Sequence, residues 1–151
     1  MTQHIKIVPY DINWPWMFET ESRRIRQILG PNCAAIYHIG STSVPGLAAK
    51  PVIDIMPVVF ELEAVDAAAE RTHQVHIFRQ EDRYNIGRHL AFRDYLRCHC
   101  EEAERYARLK ICLAERYPYD IEGYCDGKEK FVKEMEEKAL IWAAKNEHEY
   151  V

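Results

Sequence analysis

The sequence predicts an α/β (α+β) protein: an N-terminal helix, then a small sheet, then a helical C-terminal half. Three observations predict it. Apolar residues between Trp14 and Leu29 recur at helical spacing. Two strand-like runs, Ala34 to Ile39 and Pro51 to Val59, flank a loop rich in Gly, Ser and other small residues. From Ile86 onward almost every stretch repeats its apolar residues every three or four positions. At 151 residues the chain fits one domain, 1–151, long enough to bury a core without covalent staples.

In order along the chain, Ile5, Ile7 and Val8 suggest a short strand or extended arm. Asn13 is placed to cap the first helix, and Pro15 suits its first turn. Trp14, Met17, Phe18, Ile25, Ile28 and Leu29 form its apolar face, and Gly30-Pro31 ends it. In the second strand Val52, Ile53, Ile55, Val58 and Val59 supply β-branched bulk. Pro57 interrupts that run, which predicts a bend or an edge position. Glu61 to Arg71 reads as a short helix, and Val75 to Phe78 as a third strand alternating His and apolar residues. Leu90, Phe92, Tyr95 and Leu96 mark one later helix. Tyr106, Leu109, Ile111, Leu113 and Tyr117 mark the next, and Phe131, Met135, Ala139, Leu140 and Trp142 the last, with Pro118 between them. The aromatics, among them Trp14, Trp16, Phe92, Tyr95 and Tyr106, are expected in the core. Three strands are few against the usual about four to six.

Composition narrows the function classes. No apolar run approaches the roughly 20 residues needed to cross a bilayer, and Met1 to Tyr10 carries no signal pattern. A cytoplasmic protein without membrane partners is expected. Five cysteines, an odd number, read as free thiols, and Cys98-His99-Cys100 lacks the spacing of a zinc knuckle. A net charge of −4 argues against binding a nucleic-acid duplex. Yet Arg71, Arg79, Arg83, Arg88, Arg93 and Arg97 make one segment locally basic, which suits a small anion.

The chemistry concentrates between His38 and Asp54. Gly40 lets the backbone leave a strand and approach a ligand, and Ser41, Thr42 and Ser43 add hydroxyls beside exposed amides. Such a turn can hold phosphate oxygens. It is not a Walker loop, because Gly40 and Gly46 are too far apart and Lys50 does not follow the second glycine. Asp54 lies in an apolar strand, where a carboxylate is costly unless paired or bound to metal. It is therefore a candidate Mg²⁺ ligand. The alternative is a tight loop whose amides bond Asp54. His38, Asp54 and His76 fall on three predicted strands and would suit a transition metal if they converged; otherwise the histidines are hydrogen-bonded core or rim residues. Arg93 and Arg97 share a helix face and, with Arg88 and His89, would clamp a phosphate or carboxylate. The alternative pairs them with Asp94, Glu101 and Glu102.

The run His38-Ile39-Gly40-Ser41-Thr42-Ser43-Val44-Pro45-Gly46-Leu47-Ala48-Ala49-Lys50-Pro51 closely resembles the signature of the GrpB family. So do Arg88-His89-Leu90-Ala91-Phe92-Arg93-Asp94-Tyr95-Leu96-Arg97 and the later Tyr124, Gly127-Lys128 and Phe131. The resemblance spans about Val8 to Trp142. It implies a branch of the nucleotidyltransferase superfamily, a mixed sheet flanked by helices, and a ligand site at the Gly-Ser turn. It also implies kinship with a domain fused to some dephospho-coenzyme A kinases. It favours function for the Arg-rich helix, with Gly40, Ser41, Thr42, Ser43, Lys50, His89, Arg93 and Arg97 as the phosphate-binding set.

Two departures bear on function. Where the superfamily has a second catalytic carboxylate, this chain has Met56, a gap shared with the GrpB branch. Two-metal chemistry without it is severely weakened. Second, Ala69-Glu70 runs almost directly into Arg71-Thr72-His73, where family members carry further sheet, and Gln74 follows His73 in place of a second histidine. A sheet that loses strands exposes an edge, which predicts pairing or swapping with a second copy, as a homo-oligomer. Three functions follow: binding of a nucleotide or phosphorylated metabolite; Mg²⁺-dependent nucleotidyl transfer with Asp54 as the catalytic residue; or an accessory domain in a larger assembly.

Overall fold

The structure, a computed structural model, describes residues 4–65 and 74–146. Helix α1 spans Trp14–Leu29, with Pro15 in its first turn. Asn13 makes no side-chain cap. Instead the Asp11 carboxylate accepts from the Asn13 N–H at 2.8 Å, and its carbonyl from Trp14 at 3.0 Å. An aspartate two residues ahead of a backbone amide closes such a turn without help from the cap residue. The helix stops at Gly30, whose φ of 56° lies in the left-handed region.

Strand β1, Cys33–Ile39, pairs antiparallel with β2, Asp54–Val59, in a register that sets Ile39 opposite Asp54 and His38 opposite Ile55. Two short strands, β3 at Gln74–Val75 and β4 at Phe78–Arg79, run parallel to β2 along its other side. β2 is thus central, which corrects the edge position expected from Pro57. Backbone carbonyls of Ile53, Ile55 and Val59 accept from Gln74, His76 and Gln80. Alternation turns the ring nitrogen of Pro57 toward the same side, where it has no proton to donate. The predicted third strand is split at that point into β3 and β4. Of the helix expected over Glu61 to Arg71, Leu62–Ala64 forms a single 3-10 turn between extended Glu61 and Val65; 66–71 lie outside the described residues, as does His73.

Helices α2 (Arg83–Cys98), α3 (Cys100–Arg116) and α4 (Ile121–Lys145) complete the chain. Asp82 and Asp120 cap α2 and α4, accepting from the amides of Asn85 and Gly123. The sheet is covered on both faces. Ile53, Ile55 and Val59 pack with Trp14, Ile25 and Leu29 of α1. Ile39, Met56 and Val58 pack with Ile86 and Leu90 of α2. Trp16, expected in the core, is 69% exposed, because only its neighbour Trp14 faces the sheet. Val44 and Leu47 of the Gly-Ser loop pack with Ala91, Tyr106 and Met135. The loop is held between the sheet and the helical half, and this positions the site. The arm bridges the loop's end, Val8 pairing with Ala49. Among the described residues, no helix is long and apolar enough to cross a membrane.

Candidate functional site: a lysine-lined cavity behind the Gly-Ser turn

Gly40 follows β1 and lies beside Asp54, the first residue of β2. Its φ is 73°, and a Cβ there would overlap the Asp54 carboxylate. Both the backbone conformation and the close approach require glycine. Gly40→Ala is expected to cost about 2–4 kcal/mol from left-handed strain plus displacement of Asp54. Chemical denaturation measures it, and a loss below about 0.5 kcal/mol would show that the carboxylate moves aside freely.

Residues Ser41–Ser43 form a 3-10 turn. The Ser43 amide and hydroxyl both donate to the Gly40 carbonyl. Thr42 and Ser43 are buried. Thr42 Oγ1 bonds His38 Nε2 at 2.9 Å, and the His38 ring stacks on Phe18 at 4.8 Å. Burial, with the Arg97 charge behind it, pushes His38 down to about 4. Arg97 Nε donates to the Ser43 carbonyl at 2.9 Å, and Arg93 Nη1 to the His38 carbonyl at 3.3 Å. Asp94 accepts from Arg93 Nε at 2.9 Å. These two arginines therefore pin the turn through its carbonyls, with Asp94 aligning them. Neither lines the cavities described next.

Two cavities meet at Asp54. The first, about 150 Å³, is lined by Ser41, Thr42, Lys50, Lys110, Tyr124 and Lys128. Three cations thus face a cavity with one carboxylate. Lys110, on α3, is 2% exposed, and its Nζ has no hydrogen-bond partner among the described residues. It lies 4.4 Å from the Tyr106 ring centre. Burial first, then the charges of Lys128 and Lys50, push Lys110 down to about 7, with Asp54 opposing. Burial likewise lowers Lys128. Lys50 and Lys128 lie 5.2 and 4.9 Å from the Tyr124 ring centre, and the buried Tyr124 hydroxyl is also unpartnered. Gly127 lets α4 approach α3, since a Cβ there would overlap Leu113; this brings Tyr124 and Lys128 to the cavity.

The second cavity, about 200 Å³, opens past Gly40 between Asp54, His76, His89 and Phe92, and shares Lys128 with the first. His76 Nε2 is 3.5 Å from Asp54 Oδ1. The His89 ring sits 5.7 Å from His76 and 5.6 Å from Phe78, and burial lowers it to about 4. Arg88 is occupied by Glu136 at 2.9 Å.

The predicted site residues therefore divide. Gly40, Ser41, Thr42, Lys50, Asp54, His76 and His89 line one cavity or both. Ser43, His38, Arg93 and Arg97 support the turn from behind. The convergence of His38 with Asp54 and His76 is not found: the pairing of Ile39 with Asp54 turns His38 to the α1 face. Among the described residues no three His, Cys, Asp or Glu side chains stand close enough to hold a metal ion. A lone carboxylate facing three lysines does not suit a Mg²⁺ ion held by the chain alone. Lys110 was not singled out from sequence, and Tyr124 and Lys128 only as motif residues. The available signal was a lysine at Tyr106+4 and Leu113−3, inside the buried stripe of α3.

A family model described as GrpB protein matches residues 4–71 and 63–138. The two matched ranges overlap at 63–71. The UPF0157 protein YqkA of Bacillus subtilis is 38% identical over 165 aligned residues, covering 91% of this chain and 48% of that protein. The chain thus spans about half the length of this relative. A dephospho-CoA kinase of Mycolicibacterium paratuberculosis matches over 69 residues at 36% identity, 44% of this chain and 17% of that protein. The crystal structure of the conserved protein GrpB from Enterococcus faecalis superposes with a TM-score of 0.85 at 38% identity, covering 89% of this chain and 97% of that one. The shared mixed sheet, the helical half and the matched segments together show that the chain belongs to the GrpB family.

Proposed function

We propose that the chain binds a phosphate-bearing small molecule, a nucleotide or phosphorylated metabolite, in the lysine-lined cavity. Lys110 carries this reading. A buried ammonium group without a hydrogen bond costs several kcal/mol; among the described residues the Tyr106 ring and the Asp54 charge offset it only in part, and no acceptor bonds it. A bound anion would. Lys50 and Lys128 add charge at the cavity, and Ser41 adds a hydroxyl of the kind phosphate oxygens accept from. Asp54, between the two cavities, is suited to accept from ligand hydroxyl or amino groups.

The nucleotidyltransferase-like reading gives Asp54 a different task, holding Mg²⁺ against the ligand's phosphates. The position two residues on is Met56, fully buried against Ile86 and Leu90 beneath α2. A carboxylate there would face the core rather than the cavity. Binding without transfer is therefore favoured. The match to a segment of a dephospho-CoA kinase makes dephospho-CoA one ligand to try.

Calorimetric titration with pyrophosphate, ATP and dephospho-CoA, with and without Mg²⁺, tests the proposal. Binding is expected without Mg²⁺, weakening with salt and at least about tenfold in Lys128→Ala, on the order of 1.4 kcal/mol. Absence of binding by all three ligands, or an unchanged Lys128→Ala, would remove it. Binding that requires Mg²⁺ and disappears in Asp54→Asn would favour the transferase reading instead.

A further inference from the structure

We propose that Lys110 is a nucleophilic amine that forms an imine with the carbonyl carbon of a small phosphorylated aldehyde or ketone held in this cavity. The proposal rests on the cavity being an anion site and adds a ligand class and a covalent step to it. An amine acts as a nucleophile when its lone pair is free, when nothing ties its nitrogen down, and when the carbonyl is presented to it.

Lys110 meets the first two conditions, and Lys50 and Lys128, by holding the phosphate, would supply the third. Lys110 lines the cavity, and its Nζ is buried and makes no hydrogen bond among the described residues. Its pKa, pushed to about 7, leaves a large fraction of the amine neutral at neutral pH. Desolvation beside another cation is the arrangement that activates such lysines. Lys50 and Lys128 divide the work differently. Both are only partly buried and stay available to hold a phosphate. Three lysines at one anion therefore have two roles, and only the buried one has the character of a nucleophile.

The step balances without an oxidant or reductant. The Lys110 nitrogen lone pair forms a bond to the carbonyl carbon, and the carbonyl π pair moves to oxygen, which takes up a proton. The nitrogen loses its two protons as the C–O bond breaks, water leaves, and the C=N bond remains. Tyr124 lines the same cavity, and its buried hydroxyl has no hydrogen-bond partner among the described residues; burial raises its pKa, so it keeps a proton to offer the carbonyl oxygen. A cavity of about 150 Å³ fits a phosphate with a short carbon chain, and a longer ligand extends past Asp54 into the second.

The test uses the full chain with glycolaldehyde phosphate at neutral pH and sodium cyanoborohydride as the hydride source. Reduction converts the imine to a stable secondary amine that peptide mass spectrometry locates. Lys110 is expected to carry the adduct at least about tenfold more than the exposed Lys6, Lys133 and Lys145, the excess a lowered pKa gives a reactive amine. Glycolaldehyde lacking the phosphate should lose this preference, and pyrophosphate should compete. Lys110→Arg should abolish the cavity adduct and leave labelling of the exposed lysines unchanged, because a guanidinium is no nucleophile. If pyrophosphate binds yet Lys110 is labelled no more than the exposed lysines, the imine proposal fails and the anion site stands. If pyrophosphate does not bind, both fail.

Discussion

Lys110→Met should make the protein more stable and unable to bind its anion. Ordinary core substitutions destabilise, so a gain would identify a residue kept for something other than folding. The lysine falls from 10.5 to about 7 in the fold. At about 1.4 kcal/mol per pKa unit, that shift sets an upper bound on the cost of keeping it charged. The contact with the Tyr106 ring and relaxation around the charge reduce the realised gain to about 2–4 kcal/mol. The sign against pH follows from linkage. Below pH 7 both states are protonated, and the full cost is present. Between 7 and 10.5 the unfolded chain binds more protons, so stability of the wild type rises with pH and the cost fades. Urea unfolding of both proteins should show a larger difference at pH 6 than at pH 9. Methionine fills a similar volume without a charge, and it can lie on the Tyr106 ring that the ammonium now faces. A Lys110→Met protein less stable at pH 6 would mean the ammonium is satisfied in the fold, and the anion site would lose its main support.

What the sequence made legible follows the range of the interactions. Helix α1, strands β1 and β2 and the three later helices appear where periodicity places them, because each signal is local. The Gly40–Asp54 contact was half legible, since both residues flank one loop. The metal set built on His38 failed on a single register position. With Ile39 opposite Asp54, the alternation of a strand sends His38 to the other face. The role of Arg93 and Arg97 was hidden for another reason: their acceptors are backbone carbonyls, which have no sequence signature. Lys110 was hidden because a helical lysine ordinarily reads as solvated. Only the convergence of the loop before β2, α3 and α4 buries it. Residues that sequence could place by neighbours were found; those defined by three distant segments were not.

Acid should weaken the fold through two histidines on opposite faces of the sheet. His38, stacked on Phe18, and His89, packed beside His76 and Phe78, both titrate near 4 in the fold, against 6.5 when unfolded. Burial is the first cause for each, reinforced by Arg97 at His38 and Arg88 at His89. A depressed histidine is neutral in the fold while the unfolded chain is already taking up a proton. Stability is therefore intact above pH 6.5 and is lost progressively as pH falls toward 4. Partial solvent screening sets the loss at roughly 2 kcal/mol for each histidine. Denaturation midpoints at pH 7 and pH 4.5 should differ accordingly. His89→Phe provides the control, because a phenyl ring can pack on Phe78 without a titrating nitrogen. It should remove about half of the acid sensitivity and leave the His38 share, which lies on the α1 side of the sheet. An acid response unchanged in His89→Phe would place the titration outside the His89 site.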